Sequence, residues 1–254
     1  MDPDNRIAFI DQLEIEAGEL YNKRRITKGL GQAVPVKEGE EQSFFSEKSL
    51  VSFASAVSGQ LRNDVLQTVL LAQMAANKRF PEQKDLFEWY RVFIDVLQKV
   101  GWIDENQNEQ TYKTVTSEFE LDHVIIDILT ISFSQDYILI IKKTLQAIRN
   151  MTDDDRKIKA FEKNTRSIAQ RGFQIAVANE VDGVVALQIG TFELDTSLDI
   201  RKILFFKKEH EKTALKYVVK RVTLNSASYD DEIRSAVNAK IKDVQLTNIS
   251  EIEI

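Results

Sequence analysis

The chain has 254 residues, with 34 Lys and Arg against 40 Asp and Glu and a formal net charge of −6. Hydrophobic residues make up 43% and charged residues 29%, with 3 Pro, 9 Gly and no Cys, the balance of a globular protein with an ordinary core. This excludes collagen-like, disulfide-stapled and zinc-thiolate architectures as well as wholesale disorder, and the acidic balance argues against general nucleic-acid binding.

Residues 1–45 read as an N-terminal amphipathic helix, with Ile7, Ile10 and Leu13 at helical spacing, followed by a mobile loop. That loop carries Lys23-Arg24-Arg25, Gly29-Leu-Gly31 and Pro35. The start, Met1-Asp2-Pro3-Asp4, has no basic region before an apolar run, so no classical signal peptide is expected. The chain reads as cytoplasmic when synthesised, any export being non-classical. Asn150-Met-Thr and Asn248-Ile-Ser match the glycosylation triplet by chance in that setting.

Residues 46–254 read as one α+β domain, helical over 46–165 and β-rich over 171–254. Ser46 and Glu47 look like a helix start, with Leu50, Phe53, Val57, Leu61, Val65 and Val69 continuing to Phe80-Pro81. A second helix runs from a cap at Asp85 to Gly101, and a polar turn covers Asp104 to Gln110. Two more helices are predicted over 122–133 and 135–150, the latter capped by Ser134; Thr152 then opens a charged helix ending near Asn164. The apolar stretch from His123 to Ile141 is broken by Asp127 and Asp136 and does not suit a membrane span.

After Arg171 the hydrophobic period becomes two. Phe173, Ile175 and Val177 alternate, Asp182-Gly183 marks a hairpin turn, and Gly190 suggests a bulge in the returning strand. Two further strands are predicted over 202–207 and 215–224, then a late helix capped by Ser228, then a last strand carrying Ile249, Ile252 and Ile254. The expected architecture is a helical N-terminal layer packed on a C-terminal antiparallel sheet with one late helix.

Catalytic signatures are absent. There are two histidines, His123 and His210, and no Gly-x-Ser-x-Gly elbow. Glu120-Leu-Asp-His123 has the Glu-x-x-His spacing of carboxylate-bridged di-metal sites, but those need two copies and two further glutamates. No metal and no cofactor is therefore expected. Asp104 to Val115 fails as a calcium loop, with Glu109 at the glycine position and Val115 at the glutamate position. Asp153-Asp154-Asp155 reads as a solvated helix start.

The segment from Arg201 to Arg221 is rich in cations. Lys207, Lys208, Lys212, Lys216, Lys220 and Arg221 are candidates for contact with lipid headgroups or another anionic surface. Lysines that protect exposed sheet edges give the same pattern. Trp89, Tyr90, Phe93 and Trp102 are candidates for an apolar, lipid-chain pocket, or else for plain core.

The stretches Asp64 to Lys78, Trp89-Tyr90, Asp95 to Trp102, Gly172 to Val177 and Gly183 to Leu187 resemble a group of bacterial and fungal proteins with a helical first half and a β-rich second half. The resemblance spans residues 46–254. Size and helix-then-sheet order are also similar to the Erwinia virulence-factor group associated with insect-gut colonisation. There a palmitoyl group sits on a cysteine; this chain has none, so that attachment does not carry over. The missing catalytic signatures, the basic 201–221 segment and the resemblance together point to a non-enzymatic, virulence- or toxin-like protein that associates with lipid or a partner surface. The alternatives are a self-assembling protein forming a homo-oligomer and an enzyme with an unrecognised carboxylate site.

Overall fold

The computed structural model describes residues 2–16, 35–81, 86–105, 112–152, 155–166, 170–195 and 203–254. The loop at Gly29 and Gly31, the proposed cap Asp85, Asp153, Asp154, Arg201 and Lys202 lie outside the described residues.

Helix α1 (Pro3–Gln12) is capped by Asp2, whose side chain accepts from the Asn5 amide. The chain then forms a hairpin, β1 (Gln42–Ser46) and β2 (Ser49–Phe53), where the sequence suggested the start of a helix. Serines at 43, 46, 49 and 52 mimic a helical repeat, but every residue of both strands is buried. Strands covered on two faces read as continuous apolar runs and hide their period of two. Phe44 goes to one face and Phe45 to the other. The helix predicted from residue 46 begins instead at Gly59 as α2 (Gly59–Arg79), followed by α3 (Leu86–Val100).

Two strands absent from the sequence reading come next, β3 (Ile103–Asp104) and β4 (Tyr112–Glu120). Helices α4 (Leu121–Ser132) and α5 (Gln135–Asn150) sit where predicted, with Ser134 capping α5. Helix α6 (Arg156–Asn164) is capped by Asp155, not Thr152. Strands β5 (Gln170–Val181) and β6 (Val184–Asp195) form the predicted hairpin, with Asp182 and Gly183 both at positive φ. A short 3-10 turn (Ile203–Phe205) and one long strand, β7 (Lys207–Asn225), replace the two strands expected there. Asp230 accepts from the amides of Glu232 and Ile233 and opens α7 (Asp231–Asn248), and β8 (Ile249–Ile252) follows.

The class is α+β, and the sheet is mixed. Its eight strands run β3-β7-β6-β5-β2-β1-β8, with β4 also on β7. All pairings are antiparallel except β2 with β5, where Ser49 faces Gln174 in parallel register. Helices cover both faces, so there are three layers and two cores. Helices α1, α2, α3 and α7 pack against Ala176, Ala178, Val185, Leu187, Ile189 and Val222. Helices α4, α5 and α6 pack on the opposite residues, Phe173, Ile175, Val177, Phe192 and Leu194. Gly190 is no bulge, because β5 and β6 keep register through it. A Cβ there would stand 2.7 Å from Leu129 Cδ2 and 2.8 Å from Phe192 Cε2. The glycine lets α4 approach the sheet.

Candidate functional site

The α4–α5 pair presents a surface that mixes apolar and charged side chains. Leu121, Ile125 and Leu129 of α4 and Ile138, Ile141, Leu145 and Ile148 of α5 point into the core. Three- and four-residue spacing then leaves the opposite faces to solvent. Those faces are not wholly polar. Ile131, near the end of α4, is 82% exposed, and Leu139, in the second turn of α5, is 52% exposed. Gln188 of β6 donates to the Ser132 carbonyl at 3.5 Å, placing the α4–α5 elbow over the β5–β6 hairpin. Val181, near that hairpin's tip, is 63% exposed.

Between the two helices lies a cleft of about 440 Å³, lined by Asp122, His123, Ile126, Lys142, Leu145 and Arg149, among others. Its inner end is an ion-pair chain. Arg149 pairs with Asp122 Oδ2, Lys207 pairs with Glu120 Oε1, and His123 Nδ1 lies 3.0 Å from Glu120 Oε2. The hydrogen bond from the Lys207 ammonium holds the Glu120 carboxyl below its usual range. Arg149 also stands over the Phe205 ring, 4.8 Å from its centroid. One donor atom from each of Glu120, Asp122 and His123 lies within 4.8 Å of the others.

The cations singled out in the sequence lie along β7. Lys207 contacts Glu120; Lys216 meets Glu193 at 2.6 Å; Lys220 meets Asp104 at 2.8 Å; Arg221 meets Glu105 at 2.9 Å. Strand pairing explains two of these, since Lys216 faces Glu193 across β6 and Glu120 faces Lys207 across β4. The side chains of Lys208, His210 and Lys212 lie outside the described residues.

Trp89, Tyr90, Phe93 and Trp102 are all buried in the core of the α2–α3 face. Trp89 stacks on Phe93 with centroids 5.5 Å apart and donates to Asn77 Oδ1 at 2.8 Å; Trp102 donates to Thr68 Oγ1 at 3.1 Å. Both indole N–H groups are thus satisfied internally.

Below Trp89 lies a cluster that sequence reasoning did not find. The β1–β2 turn carries Glu47, at φ 54°, and Lys48, and both side chains are buried. Asn77 Nδ2 donates to Glu47 Oε1 at 3.1 Å, and Lys48 Nζ sits 4.7 Å from the Trp89 centroid. Glu47 Oε2 and Lys48 Nζ have no hydrogen-bond partner among the described residues. Burial pushes the Glu47 carboxyl up and the Lys48 ammonium down. Adjacent charges in a turn ordinarily signal solvent, so the sequence carried no cue to this cluster.

No protein-family model matches the chain, and no curated protein matches it. Among solved structures it is similar to a delta-endotoxin, at 15% identity over 78% of this chain and 88% of that one, with a TM-score of 0.38. It is similar to the Evf virulence factor at 12% identity over 84% of each chain, TM-score 0.37. A third is the activated Cyt2Ba monomer of Bacillus thuringiensis subsp. israelensis, at 14% identity over 68% of this chain and 94% of that one, TM-score 0.33. The virulence-factor likeness drawn from the sequence thus recurs among solved structures.

Proposed function

We propose that this is a non-enzymatic, virulence- or toxin-type protein that associates with a lipid surface through its α4–α5 face. The virulence- or toxin-type part rests on the sequence resemblance. The lipid part is carried by one observation: Ile131 and Leu139, 82% and 52% exposed, project beside the α4–α5 elbow, with the exposed Lys142 about one turn further along α5. Apolar side chains beside cations suit an interface of acyl chains and anionic headgroups. The described cations of β7 have carboxylate partners, so in this reading they border the contact and do not make it. No helix of the described residues is long and apolar enough to cross a membrane, which fits association in the interfacial plane.

Sedimentation with vesicles of anionic and of neutral phospholipid tests this. Binding to anionic vesicles at low salt is expected. The double variant Ile131→Ser, Leu139→Ser should weaken it by about tenfold or more, since each side chain contributes roughly 1.5–3 kcal/mol when fully buried. Absence of binding to either vesicle at low salt, or unchanged binding by the double variant, would overturn the proposal.

A further inference from the structure

We propose that Glu120, Asp122 and His123 form a site for a single divalent transition-metal ion of the zinc type. The three lie at the β4–α4 junction, and their donor atoms already converge to within 4.8 Å. Two carboxylates and one imidazole suit Zn²⁺, which takes three protein ligands at about 2.0–2.2 Å and leaves a fourth position open to water. The adjacent cleft, which Asp122 and His123 both line, supplies that open side.

The argument rests on how the oxygens divide. Each carboxylate commits one oxygen to a cation: Asp122 Oδ2 to Arg149 and Glu120 Oε1 to Lys207. The other oxygen of each is left for something else. Glu120 Oε2 faces His123 Nδ1 at 3.0 Å. Asp122 Oδ1 is buried with no hydrogen-bond partner among the described residues, on a side chain 7% exposed. A buried carboxylate oxygen without a donor is costly, and a metal ion would satisfy it. Arg149 and Lys207 then take the part that orienting groups play around metal-bound carboxylates, each fixing one oxygen while the other ligates. The ion would sit between His123 Nδ1 and Glu120 Oε2, which already face each other at 3.0 Å, with the imidazole proton carried on Nε2. This is a single-ion site, unlike the di-metal arrangement that the lone Glu-x-x-His fails to complete.

The test is a calorimetric titration of the full chain with Zn²⁺, read alongside the two histidine imidazole resonances by NMR. One equivalent should bind, shifting the His123 resonances. Asp122→Asn should abolish binding, and Arg149→Gln should weaken it about 10–100-fold. Asp127→Asn, which changes a cleft carboxylate outside the ligand set, should leave it unaltered. His123 is 70% exposed, so His123→Ala keeps the fold whatever Asp122→Asn does, and it should also abolish the one-to-one heat. Absence of saturable binding, or unchanged binding by His123→Ala, would overturn the proposal.

Discussion

Lys48 and Glu47 illustrate what a single turn can cost. Both are buried side by side, and each has its charged form disfavoured by loss of water. For Lys48 the folded state resists protonation, while the unfolded chain protonates below about pH 10. The penalty is therefore absent at high pH, sets in as pH falls below that value, and stays at its full size once the folded lysine also protonates. For Glu47 the sign is reversed: the penalty is absent below about pH 4 and grows as pH rises. Lys48→Met keeps the contact with Trp89 and removes the ammonium. It should stabilise the fold at pH 7, because the ammonium loses its water on burial and no hydrogen bond replaces it. The gain should shrink toward zero near pH 10. Urea denaturation at several pH values measures this, and a gain that did not vary with pH would contradict the burial argument. The Trp89 indole, satisfied by Asn77, should be undisturbed in fluorescence.

Helix α4 lies close against β6 because residue 190 has no side chain. Gly190→Ala would place a methyl group 2.7 Å from a Leu129 methyl that is itself buried. Overpacking of this kind costs about 1–3 kcal/mol, and a thermal melt should fall accordingly, whereas a bulge glycine would affect register in place of packing. The sequence singled out Gly190 and misjudged its role, because an isolated glycine in a strand marks either a bulge or a close approach and only the third dimension distinguishes them. The same limit explains the hairpin of residues 42–53. Phe44 and Phe45 are both buried, on opposite faces, so local periodicity carried no strand signal. Helices α4 and α5, each with one solvent face, were legible, as was the Asp182-Gly183 turn, whose geometry is fixed by two residues. Of the α4–α5 surface, the Glu120 to His123 spacing could be read directly. Its pairing with Arg149 and Lys207 needed elements 27 and 87 residues away.

The molecule as a whole is tied across its length. Strand β2, from the first quarter of the chain, pairs in parallel with β5, and Ser49 donates to Gln174, 125 residues later, at 2.8 Å. Asp64 of α2 takes a two-pronged contact from Arg234 of α7, at 2.8 and 2.9 Å. Both helical layers share the central strands, so we expect the sheet and the helices on its two faces to unfold as one unit. Hydrogen exchange read by mass spectrometry should give α2 on one face and α5 on the other the same opening free energy; distinct values would mean two separable lobes. The parallel pairing also has a consequence for synthesis. At about 5–20 residues per second, β2 is synthesised roughly 6–25 s before its partner β5. Through that interval a strand destined for complete burial offers an open hydrogen-bonding edge to its surroundings, so the nascent chain depends on whatever shields that edge until the second half arrives.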